Sequence, residues 1–308
     1  MFSLRKLVLP AALTLILAAC GKDEAPPAAA TPATTASTAP AAPAAAASAS
    51  TPAASVTAMS SALKSGDLNA IAKSVLPPSY YAKAKAKFEE NMAKEEITDE
   101  KRKEFADNVA KIAGPGAVDN LMKEIEPQLE AMKPQMSAMI TMGLGAAQMQ
   151  LNNPDNKDLT ETQKAQALQV INGMQGWAMQ TDFADAGKLR SALTHISEAV
   201  SATGITTLDQ IHALKFEEAL AKGSIVFVGL KKALGEYGLS LDEMADTMKV
   251  EVLSETGDLA KVKSSFKLFG TEISSESEMV KKEGGWYGKD MIAKIDAEEG
   301  SEAGTPAQ

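Results

Sequence analysis

The apolar residues of this chain change their spacing once, near Lys249, and that change limits the folds open to it. Upstream they recur every three to four residues, as on a helix with one buried face; downstream they alternate, as on a half-buried strand. Asp67 stands before Leu68, Ile71, Ala72 and Val75, and Pro77-Pro78 closes that helix. Ser79 is read as the cap of a charged helix holding Tyr80, Tyr81, Phe88 and Met92. Thr98 opens a helix with Phe105, Val109 and Ile112 on one side, ended by Gly114-Pro115-Gly116. Residues 118–151 form one long segment, with Pro127 and Pro134 as kinks or breaks. Residues 152–156 read as an exposed loop, and Thr160 with Gln163 as a capping box before Leu168, Ile171, Met174 and Trp177. Helices are expected over 182–202, 207–222 and 224–236, and Ser240 with Glu243 opens a last short one.

After the switch, 249–254, 259–269 and 272–282 read as strands, with Thr256-Gly257-Asp258 and Gly270-Thr271 as turns. A two-residue loop at Gly270-Thr271 sets Leu268 opposite Ile273, Val262 opposite Met279 and Lys263 opposite Glu278. Gly284-Gly285-Trp286-Tyr287 starts a fourth short strand. The fold class expected is α+β: a predominantly helical domain with a small C-terminal antiparallel β-meander. The folded part is assigned to 56–290, with helices over 56–248 and the meander over 249–290. Residues 291–308 are read as an acidic disordered tail.

Composition narrows the function classes. The 308 residues carry 31 basic and 40 acidic side chains, a formal charge of −9, and no basic cluster that would suit a nucleic acid. Aromatic residues are 5%, too few for a base-stacking platform. One Cys excludes an intramolecular disulfide and a thiolate metal cluster. Residues 25–54 are almost wholly Ala, Pro, Ser and Thr, and this tract cannot bury enough apolar surface to offset its ordering entropy. Residues 20–55 are therefore read as a disordered tether, with a span of roughly 30 Å as a coil and on the order of 100 Å when extended.

The first 19 residues have the layout of a signal peptide. Arg5 and Lys6 are followed by an apolar run over 7–17, too short for a bilayer span of ~20 residues. The run ends in Leu17-Ala18-Ala19-Cys20-Gly21. This resembles the lipobox of bacterial lipoproteins. The resemblance implies cleavage before Cys20 and acylation of that residue, with palmitate among the chains. It further implies a membrane partner through the lipid anchor at Cys20, the outer membrane as location and the periplasm as the space faced. Gly21, in place of an Asp, favours the outer membrane in that comparison.

A second resemblance concerns the folded part. Ala62-Leu63-Lys64-Ser65-Gly66-Asp67-Leu68 is similar to the opening of nuclear-transport-factor-two-like and cystatin-like lipoprotein domains. Gly257-Asp258-Leu259-Ala260-Lys261-Val262 and Val280-Lys281-Lys282-Glu283-Gly284-Gly285-Trp286 are similar to their closing strands. Such domains often hold small ligands in a cone-shaped pocket or serve as accessory modules. A faint internal echo, Phe88-Glu89-Glu90 against Phe216-Glu217-Glu218, is of a kind that charged helices share by composition.

Reactive chemistry is sparse. His195 with Glu198, and Asp209 with His212, share helical faces at i,i+3 and together offer two imidazoles and two carboxylates. Nothing in the sequence fixes the distance between the pairs, so they read as solvated groups; no metal, no cofactor and no catalytic residue are expected. Met142-Gly143-Leu144-Gly145 lacks the Lys-Ser/Thr of a phosphate loop. Met132, Met136, Met139, Met142 and Met149 form a helical stripe. Its readings are a buried flexible core face, the favoured one, contact with an apolar ligand or partner through Met132, Met136, Met139 and Met142, or Cu(I). Trp177 and Trp286 are large core anchors. The function expected is a non-enzymatic, membrane-anchored periplasmic binding or scaffolding module with an envelope protein partner and no nucleic acid. The alternative is a carrier of a small apolar ligand or lipid.

Overall fold

A computed structural model describes residues 50–153 and 161–302. Across them the chain is α+β and predominantly helical, with one antiparallel four-stranded sheet near its C-terminal end. The helices are α1 (Pro52–Ser65), α2 (Leu68–Val75), α3 (Pro78–Lys94), α4 (Asp99–Ala113), α5 (Ala117–Leu151) and α6 (Glu161–Gln180). They continue as α7 (Ala186–Ala202), α8 (Leu208–His212), α9 (Phe216–Glu236), α10 (Leu241–Asp246) and α11 (Lys289–Glu302). The strands β1 (Lys249–Thr256), β2 (Leu259–Leu268), β3 (Thr271–Lys282) and β4 (Gly285–Gly288) follow one another in space as in sequence.

Both ends of the folded part lie beyond the expected limits. Pro52 to Ser55 belong to α1, not to the tether, because Thr51 accepts a hydrogen bond from the Ala54 amide and Pro52 is suited to the first helical turn. Pro52 is fully buried, and Ser55 Oγ donates to the Trp286 carbonyl at 2.6 Å. At the other end, residues 291–302 continue α11 instead of forming a tail. Ile292 is buried, and Asp296 accepts a hydrogen bond from the Tyr80 hydroxyl.

α1 lies on one face of the sheet. Ala260, Val262, Met279 and Trp286 form the core there, with Val56 and Val250 packed against them. The opposite face carries the Lys/Glu pairs Lys261–Glu278, Lys263–Glu276 and Lys267–Glu272. The register differs from the expected one by two residues. The hairpin loop is Phe269-Gly270, so Leu268 pairs with Thr271, Val262 with Ser277, Lys263 with Glu276, and Phe266 faces Ile273. Both loop residues have positive φ, 56° and 71°, as a type I′ turn requires. Phe is unfavourable there, but its ring centroid sits 5.2 Å from that of Trp177, a contact that Thr271 in the loop would forgo. An even shift leaves every side chain on its own face, so the apolar/charged division stands.

Four local expectations are corrected among the helices. Ser79 does not cap α3; Pro77 holds the N-cap position without a side-chain capping bond, and the Ser79 amide and hydroxyl both bond the Glu283 carboxylate. Pro127 and Pro134 do not break α5; both are exposed, so water can reach the carbonyls they free. Gly223 does not separate two helices, because α9 runs through it and the break falls after His212. That glycine is a packing residue: a Cβ there would lie 3.0 Å from Leu68 Cδ1. The helix expected from 182 begins at Ala186, with Asp185 as its cap. The loop read over 152–156 is described only to Asn153, and Thr160 of the expected capping box lies outside the described residues.

Candidate functional site

α5 and α6 form a helical hairpin whose first part is fastened to the body. α5 has 35 residues, about 52 Å at ~1.5 Å per residue, far longer than the helices it lies against. Its opening turn is anchored by buried Ala117 and Met122 and by ion pairs Asp119–Arg190 (2.6 Å) and Glu124–Lys111 (3.0 Å). Lys133 then reaches Asp182 at 3.1 Å. The Arg190 guanidinium bonded to Asp119, and the Lys133 ammonium bonded to Asp182, hold both carboxyls below their ordinary range. The same bond raises Lys133.

The α6 limb is fixed by aromatic contacts. Trp177 Nε1 donates to the Tyr237 carbonyl at 2.7 Å, and its ring meets Phe183 at 5.3 Å and Phe269 at 5.2 Å. Gln169 Oε1 accepts from the Ser274 amide, which ties α6 to β3. Between the limbs, Gln148 donates to Asn172 at 3.2 Å, and the Ser137 and Thr141 hydroxyls lie 3.7 and 3.8 Å from Met179 Sδ.

Beyond these fastenings each limb has a long charge-free run, with Glu161 and Lys164 at the far end of α6 as charged residues of the hairpin. No Asp, Glu, Lys or Arg occurs over 134–154, nor over 165–181. The methionine stripe is on the outside of this arm: Met132 is 43% exposed, Met139 49%, Met142 73% and Met149 78%, and Met136 is half-buried. The expectation of a buried core face is thus overturned. The partners of α6, reached through Ser137, Thr141 and Gln148, occupy the other side of α5, and nothing described covers the methionine side. A Cβ at Gly143 or Gly145 would meet nothing within 4 Å. Gly145, Gln148, Met149, Gln150, Asn152 and Asn153 line a shallow open cleft near the end of the arm.

The histidine pairs are not assembled. His195 Nε2 faces Glu236 Oε1 at 3.0 Å instead of Glu198, and Asp209 is engaged by Arg102 at 3.0 Å. His212 Nε2 is buried without a hydrogen-bond partner. Among the described residues no group of three or more His, Cys, Asp or Glu is placed to hold a metal ion. Trp286 is core, 1% exposed, while Trp177 anchors the arm. Cys20 lies outside the described residues.

Two arrangements had no sequence signal. Tyr80, a buried residue of α3, bonds both Lys282 and Asp296 and so joins α3, β3 and α11. Lys231, 8% exposed, donates to the Leu63 and Lys64 carbonyls and closes the C-terminal end of α1. The arm did have a signal, its two charge-free runs, but spacing alone could not say which side of the helix was covered.

Among the described residues no helix is long and apolar enough to cross a membrane. No protein-family model, no curated protein and no solved structure matches this chain.

Proposed function

We propose that this protein is a lipid-anchored, non-catalytic binding module of the bacterial envelope that engages a protein through the methionine face of α5. The observation that carries the docking half is the exposure of Met132, Met139, Met142 and Met149 on α5, whose residues from 134 onward carry no charge. Methionine thioethers adapt to irregular apolar surfaces, and an apolar face of this extent marks an interaction site more often than bare solvent contact. The carrier reading ranks second, because the cleft at the end of the arm is open and four of its six lining residues are Asn or Gln. The anchoring half rests on the lipobox-like Leu17-Ala18-Ala19-Cys20 and the charge-poor tract behind it.

Two measurements test the two halves. Radiolabelled palmitate should enter the wild-type chain and not Cys20→Ala; equal labelling, or none, refutes the anchor. A photo-reactive residue at Met139 should trap a protein in intact cells. Blank lanes from positions 132, 139, 142 and 149 together refute the docking face.

A further inference from the structure

The helix α5 sorts its large apolar side chains by type. Over 131–151, Ile140, Leu144 and Leu151 are half-buried, whereas the exposed ones, Met132, Met139, Met142 and Met149, are all methionine. Leu and Met form helix about equally well, so helix propensity does not select Met over Leu on the outward side. What sets the outward side chains apart is a thioether sulfur, a soft and neutral donor.

We propose that Met132, Met136 and Met139 form a binding site for a soft monovalent cation, Cu(I). The inference goes beyond the docking reading and does not rest on it, since it concerns sulfur and not apolar area. At ~3.6 residues per turn the three fall within about 60° of one another around α5. Met132 and Met136 are at i,i+4, and Met136 and Met139 at i,i+3, spacings that hold neighbouring Cβ atoms about 5–6 Å apart. A methionine side chain is unbranched and rotates freely, so the sulfurs can close on one ion around the central Met136 with no movement of the helix. Met142 and Met149 stand about 80° and about 100° round from Met132 and lie outside the set.

The set selects its ion by the donors around it. Zn(II), Mn(II) and Ca(II) call for imidazole, thiolate or carboxylate, and residues 134–154 hold no His, Cys, Asp or Glu. Lys133, between Met132 and Met136, is engaged by Asp182 at 3.1 Å, so its charge is offset there. Cu(I) favours soft thioethers, and a cluster of neutral sulfurs suits it. No electron moves on binding: the ion arrives and stays as Cu(I). A thioether carries no proton to release, so affinity is independent of pH across the range in which His titrates.

The test uses the full-length chain carrying Cys20→Ala, so that its one thiol does not take the metal. Cu(I) is supplied without oxygen, with ascorbate, in competition with a chromophoric Cu(I) chelator. The chain should withdraw a single Cu(I), with an affinity unchanged between about pH 5.5 and 7.5 once chelator protonation is corrected. Met136→Leu with Met139→Leu keeps the apolar face and removes two sulfurs. It should weaken binding several-fold or more while the circular dichroism stays that of the parent. Met179→Leu, at a 51% exposed methionine of α6, should bind as the parent does. No withdrawal of Cu(I) by the parent, equal binding by the double variant, or an equal loss in Met179→Leu overturns the site. An affinity that falls in acid around the ordinary His value, ~6.5, assigns the ion to imidazole and overturns it too. The photo-crosslinks of the docking reading need no metal, so the two proposals can fail separately.

Discussion

Replacing Gly229 by Ala isolates the contact that sets the long helices against each other. Gly229 is in the interior of α9, where Ala is intrinsically better by about 1 kcal/mol. At this crossing, however, a new Cβ would lie 2.3 Å from Ala199 Cβ and 2.9 Å from the His195 carbonyl oxygen. Ordinary carbon contact is ~3.5–4.0 Å, so α7 and α9 must part by more than about 1 Å. Neither obstacle can rotate away, since one is a Cβ and the other a backbone oxygen. Overpacking of this kind costs ~1–3 kcal/mol, and with rigid neighbours the upper part of that range applies. After the helix-propensity gain is subtracted, Gly229→Ala is expected to destabilise by roughly 1–2 kcal/mol. Gly176→Ala is the matched control. It lies inside α6 with nothing within 4 Å of the new Cβ, so it should stabilise by about 0.5–1 kcal/mol. Urea unfolding followed by far-ultraviolet circular dichroism reads both. Gly229→Ala should lower the midpoint at unchanged slope, Gly176→Ala should raise it. A Gly229→Ala chain as stable as wild type would refute the crossing.

Met139→Lys with Met142→Lys should leave the melting temperature of dilute protein within the effect of about 0.5 kcal/mol expected at exposed sites, as differential scanning calorimetry would show. A larger loss would mean that the face is covered within one chain. Lys231→Met should destabilise by about 1–3 kcal/mol, because the Leu63 and Lys64 carbonyls lose a buried donor and Asp242 loses its partner at 2.5 Å; chemical denaturation measures it. Trp177→Phe removes the hydrogen bond to the Tyr237 carbonyl but keeps most ring contact, so a loss of about 1 kcal/mol and faster amide exchange at the α6 base are expected. Acid should loosen the arm's base. Asp119 and Asp182 are held below their ordinary values, so their stabilisation is whole above that range and fades as pH falls through the depressed folded values. Amide protection near 119 and 182, corrected for the intrinsic slowing of exchange in acid, that falls as pH drops below about 4 would show it. Charge-neutral Asp119→Asn with Asp182→Asn should flatten that dependence.

Elements with a complete local signal were readable. Asp67, Thr98 and Ser240 stand as N-caps because each carries its acceptor at the right distance from the first free amides, whatever surrounds it. The meander and the division of its two faces were readable for the same reason, since strand alternation depends on neighbours in sequence. Errors arose where two local solutions compete. Gly270-Thr271 and Phe269-Gly270 are both two-residue loops, and the choice falls to Trp177, far away in sequence. Gly223 looks like a helix end until Leu68 is found against it. Of the candidate site, the methionines and their helical spacing were legible, and their exposure was not.

By itself, the order of residues determined which stretches are helix and which are strand, and that residues 134–154 would carry methionine without charge. These properties follow from side-chain period, capping groups and composition, all of which act over a few residues. The tertiary structure alone decided that the methionine side of α5 faces outward, that His195 meets Glu236, and that Tyr80 joins three distant elements. Those outcomes depend on which surfaces meet once the chain has closed, and a helix with two plausible apolar sides does not encode which one its neighbours will cover.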